Sequence, residues 1–268
     1  MIMGGSHFRD IPTDGSGPGD QVIVEVPWSY YDEPDRTYPV VYLCEGYWDF
    51  PVVYGMYSHL LCDKVVPEYI LVGLGYSGKQ PDIEALRRLD LPPPSAGTSG
   101  RLLEGANPND YLARLKHNII PFIESEYGAD PSFRVLMGCS IGGVFAIGAM
   151  LRDPKLFNAI VALNPTTATH HDWLFRLEQE FSAVSEGPMS SLLRRGRELS
   201  ARLFLALGGA DNPALIDSIQ RFDRQLDKRK YRGFEKEFRN IDGEKHAGLK
   251  PEGFNRGLRF AFKPLVEM

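Results

Sequence analysis

The chain has 268 residues, 43% of them hydrophobic and 24% charged, with a formal net charge of -5. That is enough apolar material for a large packed core and excludes a disordered polypeptide. The acidic balance disfavours general nucleic-acid binding, and no run of about 18 apolar residues is present to span a bilayer, so no membrane partner is expected.

The first ten residues lack the basic-then-apolar pattern of a secretory signal. Cys44, Cys62 and Cys139 are odd in number and lack metal-ligand spacing. A reduced, cytoplasmic protein is the expectation.

Residues 1–20 read as a flexible segment, glycine- and proline-rich over 10–20. Gln21–Val26 is a strand, Tyr30–Tyr38 a turn, and Val40–Cys44 a buried strand. The run ends at Glu45-Gly46-Tyr47-Trp48-Asp49-Phe50, a glycine followed by aromatics that reads as a site loop. Val52–Leu61 is helical. Tyr69–Tyr76 is another buried strand. Arg87-Arg88 beside Pro92-Pro93-Pro94 reads either as a basic pocket mouth for an anionic or polyoxygenated substrate or as a solvated ion-pair surface. Ser95–Gly105 is a loose segment. Asn109–Tyr127 has helical spacing, with Asn109 or Asp110 as the cap and a kink at Pro121.

Arg134–Ala146 is a short apolar strand, a Gly-x-Ser-x-Gly turn and a small-residue helix. In that setting the motif is a nucleophile elbow. Side chains at Gly138 or Gly142 would collide with the neighbouring chain. Ser140 is the candidate nucleophile, and the Ile141 amide one oxyanion donor. A serine at such a turn can also be a plain N-cap, but the strand–helix context favours the elbow.

Ile160–Pro165, including Asn164, is the next strand and its exit. Thr166–Trp173 reads as a polar, aromatic loop opening a 166–200 segment, which is helical beyond it with a break at 185–188. That segment is a candidate lid or acyl-pocket wall, with Trp173 facing substrate. Neighbouring His170 and His171 do not make a metal site, because adjacent residues rarely converge on one ion. Arg202–Leu207 is a strand ending at Gly208-Gly209-Ala210-Asp211. Ala214–Lys230 is an amphipathic helix, Phe234–Arg239 a strand, and Pro251–Leu265 a closing helix.

A serine hydroxyl needs a base, and the base needs a carboxylate to fix its tautomer. The expected chain order is Ser, acid, His. His246, in the loop after the last strand, satisfies it; His7, His59 and His117 precede the elbow. Asp211 ends the penultimate strand and is the candidate acid. Asp217, Asp242 and Glu244 are its rivals. The second oxyanion amide falls to Tyr47, with Gly46 as the alternative.

From about Val22 to Phe262 the chain resembles the esterase D-like family of α/β hydrolases. That group includes siderophore (enterobactin-type) trilactone esterases, feruloyl and acetyl-xylan esterases, S-formylglutathione hydrolases and mycolyltransferases. The resemblance rests on Tyr38–Gly46, Val72–Tyr76, Arg87–Pro92, Ile120–Tyr127, Met137–Gly143, Asp153–Phe157 and Asn255–Phe260. It implies a mostly parallel central sheet with helices on both faces, forming one α/β-hydrolase domain over 21–268. It also matches Ser140, Asp211 and His246 to nucleophile, acid and base, and places Tyr47 in the oxyanion loop. Glu45 stands where the family often has aspartate, and Thr-Thr-Ala-Thr-His-His replaces a serine-rich stretch after Pro165.

The expectation is a serine esterase that needs no cofactor or metal and acts on a small-molecule ester through an acyl-enzyme. Trp48, Arg87, Arg88 and Trp173 are its candidate pocket residues, and the Arg87-Arg88 stretch looks most like the siderophore-esterase branch. Feruloyl- or acetyl-xylan-type hydrolysis, acyl transfer to an alcohol, and a non-catalytic binding protein are the competing readings.

Overall fold

Aliphatic runs of five to seven residues, each closed by glycine or a polar turn, build parallel strands whose exits are free to carry function. The computed structural model describes residues 6–12, 19–92, 107–183 and 198–267, with 167–172 described at the backbone only. The segments 95–105 and 185–188 singled out above lie outside the described residues. The chain divides into two compact units, Met1–Met137 with Phe262–Met268, and Gly138–Ala261.

In the first unit the strands lie in the order β1-β2-β4-β3-β5. They are β1 (His7–Asp10), β2 (Asp20–Glu25), β3 (Tyr38–Leu43), β4 (Ile70–Tyr76) and β5 (Ala129–Cys139), whose last two residues belong to the second unit. β1 and β2 are antiparallel to each other, β2 is antiparallel to β4, and β4, β3 and β5 run parallel. Every residue of β4 is buried. Leu43 pairs with both Gly73 and Met137, which brings these three strands level near their carboxyl ends. The leading segment read as flexible therefore contains a paired strand.

α1 (Gly46–Cys62) starts six residues earlier than its apolar spacing suggests, so the expected site loop is the first turn of a helix. Gly46 permits this: a Cβ there would sit 2.6 Å from the Gly73 backbone, so only glycine lets the helix start against β4. α2 spans Ile83–Asp90 and absorbs the arginine pair. The stretch expected as one kinked helix is α3 (Pro108–Arg114), a π-turn (Leu115–Ile119) and α4 (Ile120–Tyr127). Pro121 has no N–H for the His117 carbonyl, and the widened turn precedes it. The cap is Asn107, whose side chain accepts from the Asn109 amide at 3.1 Å, in place of Asn109 or Asp110.

In the second unit β6 (Ala159–Leu163), β7 (Arg202–Gly208) and β8 (Glu235–Ile241) are parallel and adjacent in that order. α5 (Ile141–Arg152) is buried along its length apart from its two ends. α6 (Thr167–Ala183) begins where a loop was expected. It packs on α5 and on α7 (Pro213–Arg229), and α8 (Lys250–Val266) belongs to this unit as far as Ala261. The carboxylate of Glu178 on α6 is fully buried and accepts from Arg229 at 2.9 Å and from Gln225 and Tyr231. That network ties α6 to α7 and to the turn before β8.

Candidate active site

The elbow follows from two glycines and one strained residue. β5 delivers the fully buried Val135, Leu136 and Met137 to the turn. A Cβ on Gly138 would lie 2.9 Å from the Gly143 nitrogen and closer still to the Gly142 carbonyl. Ser140 stands at φ 57, ψ -123, a region that side chains rarely adopt and that costs about 1–3 kcal/mol. The turn is held by the Ser140 amide donating to the Leu163 carbonyl at 2.9 Å and by the Thr166 and Val144 amides donating to the Ser140 carbonyl. Ile141 is the first residue of α5, so its N–H has no acceptor within the helix and is available to a developing oxyanion.

Asp211 and His246 come from neighbouring strand exits. Asp211 follows β7, and its Oδ2 lies 3.3 Å from His246 Nδ1 in the loop after β8. The Asn212 amide donates to Asp211 Oδ1 at 2.7 Å. The two exits are locked together. The Gly209 amide donates to Ile241 O and the Ala210 amide to Glu244 O, while a Cβ on Gly208 would meet Glu244 O at 2.5 Å. His246 is tied to the elbow by its own carbonyl, 3.9 Å from the Sγ of Cys139, the residue before Ser140. Among the described residues no hydrogen bond joins Ser140 Oγ to the His246 ring. Such bonds commonly tighten only when substrate arrives.

Asn164 went unremarked in the sequence beyond its place at a strand exit. It is fully buried at φ 39. Its Nδ2 donates to Asp211 Oδ2 at 2.6 Å, and its Oδ1 accepts the Gly208 amide at 3.0 Å. An asparagine followed by proline at a strand exit was the available signal, and asparagine tolerates the left-handed region better than most residues.

Asp217, Asp242 and Glu244 show no such pairing with His246 among the described residues. Asp217 is exposed and faces Arg221 at 3.9 Å. Asp242 is exposed, and a Glu244 carboxylate oxygen crowds Gly248. Among the other histidines, His7 lies in β1, His59 in the last turn of α1 and His117 in the π-turn. Among the described residues no group of three or more His, Cys, Asp or Glu is arranged to hold a metal ion. No helix among them is long and apolar enough to cross a membrane.

Within the first unit, Tyr47 is the second residue of α1. Its amide has no acceptor inside the helix, and its hydroxyl donates to the Tyr76 carbonyl at 2.6 Å. Glu45 adopts φ 58 and takes the Arg87 guanidinium in an ion pair. Arg87 also pairs with Glu84 at 3.1 Å and lies over the Trp48 ring, 5.2 Å from its centroid. Burial opposes the Arg87 charge, but the two carboxylates outweigh it and hold its pKa above the usual value. Trp48 is 48% exposed. Glu45, Trp48 and Arg87 border a small cleft with Tyr76 and Tyr111.

Arg88 faces outward and pairs with Glu84 at 2.7 Å. In the second unit Trp173 turns its ring onto α5: a Cβ on Gly148 would meet it at 2.7 Å, and Arg152 lies 5.4 Å from the ring centroid. That half-buried ring is engaged in helix packing, where a pocket wall had been expected.

The family model described as Putative esterase matches residues 20–247. The chain belongs to that family. Ferri-bacillibactin esterase BesA of Bacillus subtilis (strain 168) is 24% identical to this esterase over 249 residues, covering 86% of this chain and 81% of that protein. The BES protein of Bacillus cereus superposes with a TM-score of 0.80 at 19% identity, over 97% of this chain and 96% of that one. An IroE-like serine hydrolase of Shewanella oneidensis also reaches 0.80, at 21% identity, over 96% and 80%. These likenesses show the α/β-hydrolase fold with its mostly parallel strands. The family shows the activity class: the esterase is a carboxylic ester hydrolase, and the non-catalytic reading falls away.

Proposed function

We propose that the esterase cleaves its substrate through an acyl-enzyme on Ser140. Ser140 Oγ attacks the ester carbonyl while His246 Nε2 takes its proton. The oxyanion is received by the Ile141 amide. The imidazolium then protonates the leaving alcohol as the C–O bond breaks. Water repeats the cycle on the acyl-enzyme, and its proton passes through His246. Asp211 keeps the His246 proton on Nδ1, so that Nε2 is the basic nitrogen. The observation that carries this reading is the strained Ser140 on a glycine-built turn, in one unit with a paired Asp211 and His246.

For substrate we propose a siderophore-type ester. BesA, the relative described above, is a ferri-bacillibactin esterase. Trp48 offers an exposed flat ring for an aryl group, with Arg87 buttressing it from behind.

The test is labelling with a fluorophosphonate, followed by a panel of p-nitrophenyl acetate, p-nitrophenyl butyrate, enterobactin and feruloyl esters. The parent is expected to label and to hydrolyse the siderophore ester with the highest kcat/KM. Ser140→Ala and His246→Ala are expected to lose both labelling and turnover. Parental turnover in Ser140→Ala on every ester would refute the mechanism, and a preference for feruloyl esters would refute the substrate.

A further inference from the structure

We infer that Asn164 is a positioning residue of the reaction: it holds the Asp211 carboxylate against His246, and the two ends of its amide are both required. This rests on the Ser140–His246–Asp211 reading above and adds a fourth side chain to it.

The chemistry of the partners fixes the requirement. Asn164 Oδ1 faces a backbone N–H, from Gly208, and must accept. Nδ2 faces a carboxylate oxygen, on Asp211, and must donate. A flipped amide would set donor against donor and acceptor against acceptor. Aspartate could not donate to Asp211, and an apolar residue at this fully buried position would leave the Gly208 amide and the carboxylate each short of a partner.

The carboxylate has little freedom left. Oδ1 takes the Asn212 amide at 2.7 Å, and Oδ2 takes Asn164 at 2.6 Å while lying 3.3 Å from His246 Nδ1. The Asn164 bond is the shortest of the three, so it sets where Oδ2 stands. The same Nδ2 lies 3.4 Å from His246 Nδ1. With the proton on Nδ1 both of those nitrogens are donors, and the carboxylate between them accepts from each. The charge-assisted bond to Asp211 is the stronger claim on that proton.

The backbone extends the link to the nucleophile. The Asn164 amide donates to the Ala206 carbonyl at 2.8 Å, on the strand that leads to Asp211. The Leu163 carbonyl, one residue before Asn164, accepts the Ser140 amide at 2.9 Å. Nucleophile, acid and base are thus all referred to one strand exit, and the left-handed turn at Asn164 directs its side chain toward the acid.

The experiment is a kinetic cycle on p-nitrophenyl butyrate with Asn164→Ala, Asp211→Ala and the double variant, with folding checked by circular dichroism and thermal melting. A displacement of about 1 Å at a reacting group costs about 10²-fold. Asn164→Ala is therefore expected to lower kcat by about 10- to 100-fold while KM stays near the parental value, the signature of a contact that matters only in the transition state. Because Asn164 acts through Asp211, the double variant is expected to be no slower than Asp211→Ala. Parental kcat in Asn164→Ala, or losses that multiply in the double variant, would overturn the inference.

Should Asn164→Ala fail to fold, the isosteric Asn164→Asp is read in its place. It is expected to lose at least as much kcat, and to add no loss in an Asp211→Asn background; parental kcat overturns the inference here too. Ser140→Ala is the control that separates the two levels. An inactive Ser140→Ala with a fully active Asn164→Ala removes this inference alone. A fully active Ser140→Ala removes the reading beneath both.

Discussion

Replacing Gly138 with alanine adds one methyl group at the point where β5 passes under the first turn of α5. That methyl carbon would stand 2.9 Å from the Gly143 nitrogen and nearer still to the Gly142 carbonyl carbon and oxygen. All three atoms are main chain, so no rotamer change relieves the overlap, and the helix start must lift from the strand. Overpacking of this kind costs about 1–3 kcal/mol, and more where backbone is the obstacle. The lift moves Ser140 and the Ile141 amide together, and about 1 Å of misplacement costs about 10²-fold in rate.

Gly143→Ala is the matched comparison. Its methyl would stand 3.2 Å from the Leu163 carbonyl and 3.3 Å from the Gly138 carbonyl, a crowding of a few tenths of an ångström. Alanine also gains about 1 kcal/mol over glycine in a helix, so its net stability change stays under about 1 kcal/mol. The assay is the rate of fluorophosphonate labelling beside urea unfolding of both variants. A Gly138→Ala protein with parental labelling and a parental midpoint, or a Gly143→Ala protein harmed more than Gly138→Ala, would refute the reasoning.

Asp211→Asn is expected to lower kcat by up to about 10⁴-fold through loss of the productive imidazole tautomer. Asp242→Asn and Glu244→Gln should keep the parental kcat, and an equal loss in either would unseat Asp211. Glu178→Gln removes a buried charge that Arg229 faces, and urea unfolding should show a loss of about 3 kcal/mol. Its kcat per folded molecule should not change; a drop would show that the α6–α7 tie reaches the chemistry. Arg87→Ala is expected to raise KM for an aryl-bearing siderophore ester about tenfold, or about 1.4 kcal/mol, while leaving p-nitrophenyl acetate untouched. Equal effects on both esters would argue against recognition of the substrate by that side chain.

The parts of this molecule readable from sequence are those whose causes are local. A buried strand, two glycines and a small-residue helix announce Ser140, because the collision that demands Gly138 involves residues four and five positions away. The meeting of His246 with Asp211 was legible through chain order and strand ends. The start of α1 was not, because glycine and Pro51 argue against a helix while the reason for tolerating Gly46 is Gly73, far along the chain. The Thr-Ala-Thr-His-His stretch has weak helix propensity, yet it forms the first turns of α6, an element that packs on α5 and α7. Trp173 looked like a pocket aromatic until Gly148 supplied a flat seat for its ring. Asn164 escaped for a similar reason: its two partners lie 44 and 47 positions ahead of it.

Ser140, Asn164, Asp211 and His246 all belong to the stretch from Gly138 to Ala261, whereas Glu45, Trp48 and Arg87 belong to the earlier unit. On the mechanism proposed above, nucleophile, acid, base and positioning residue therefore come from one contiguous stretch of chain. Substitutions at Trp48 and Arg87 leave all four of those residues unchanged, so a library confined to that pair tests the proposed aryl recognition apart from the proposed proton relay.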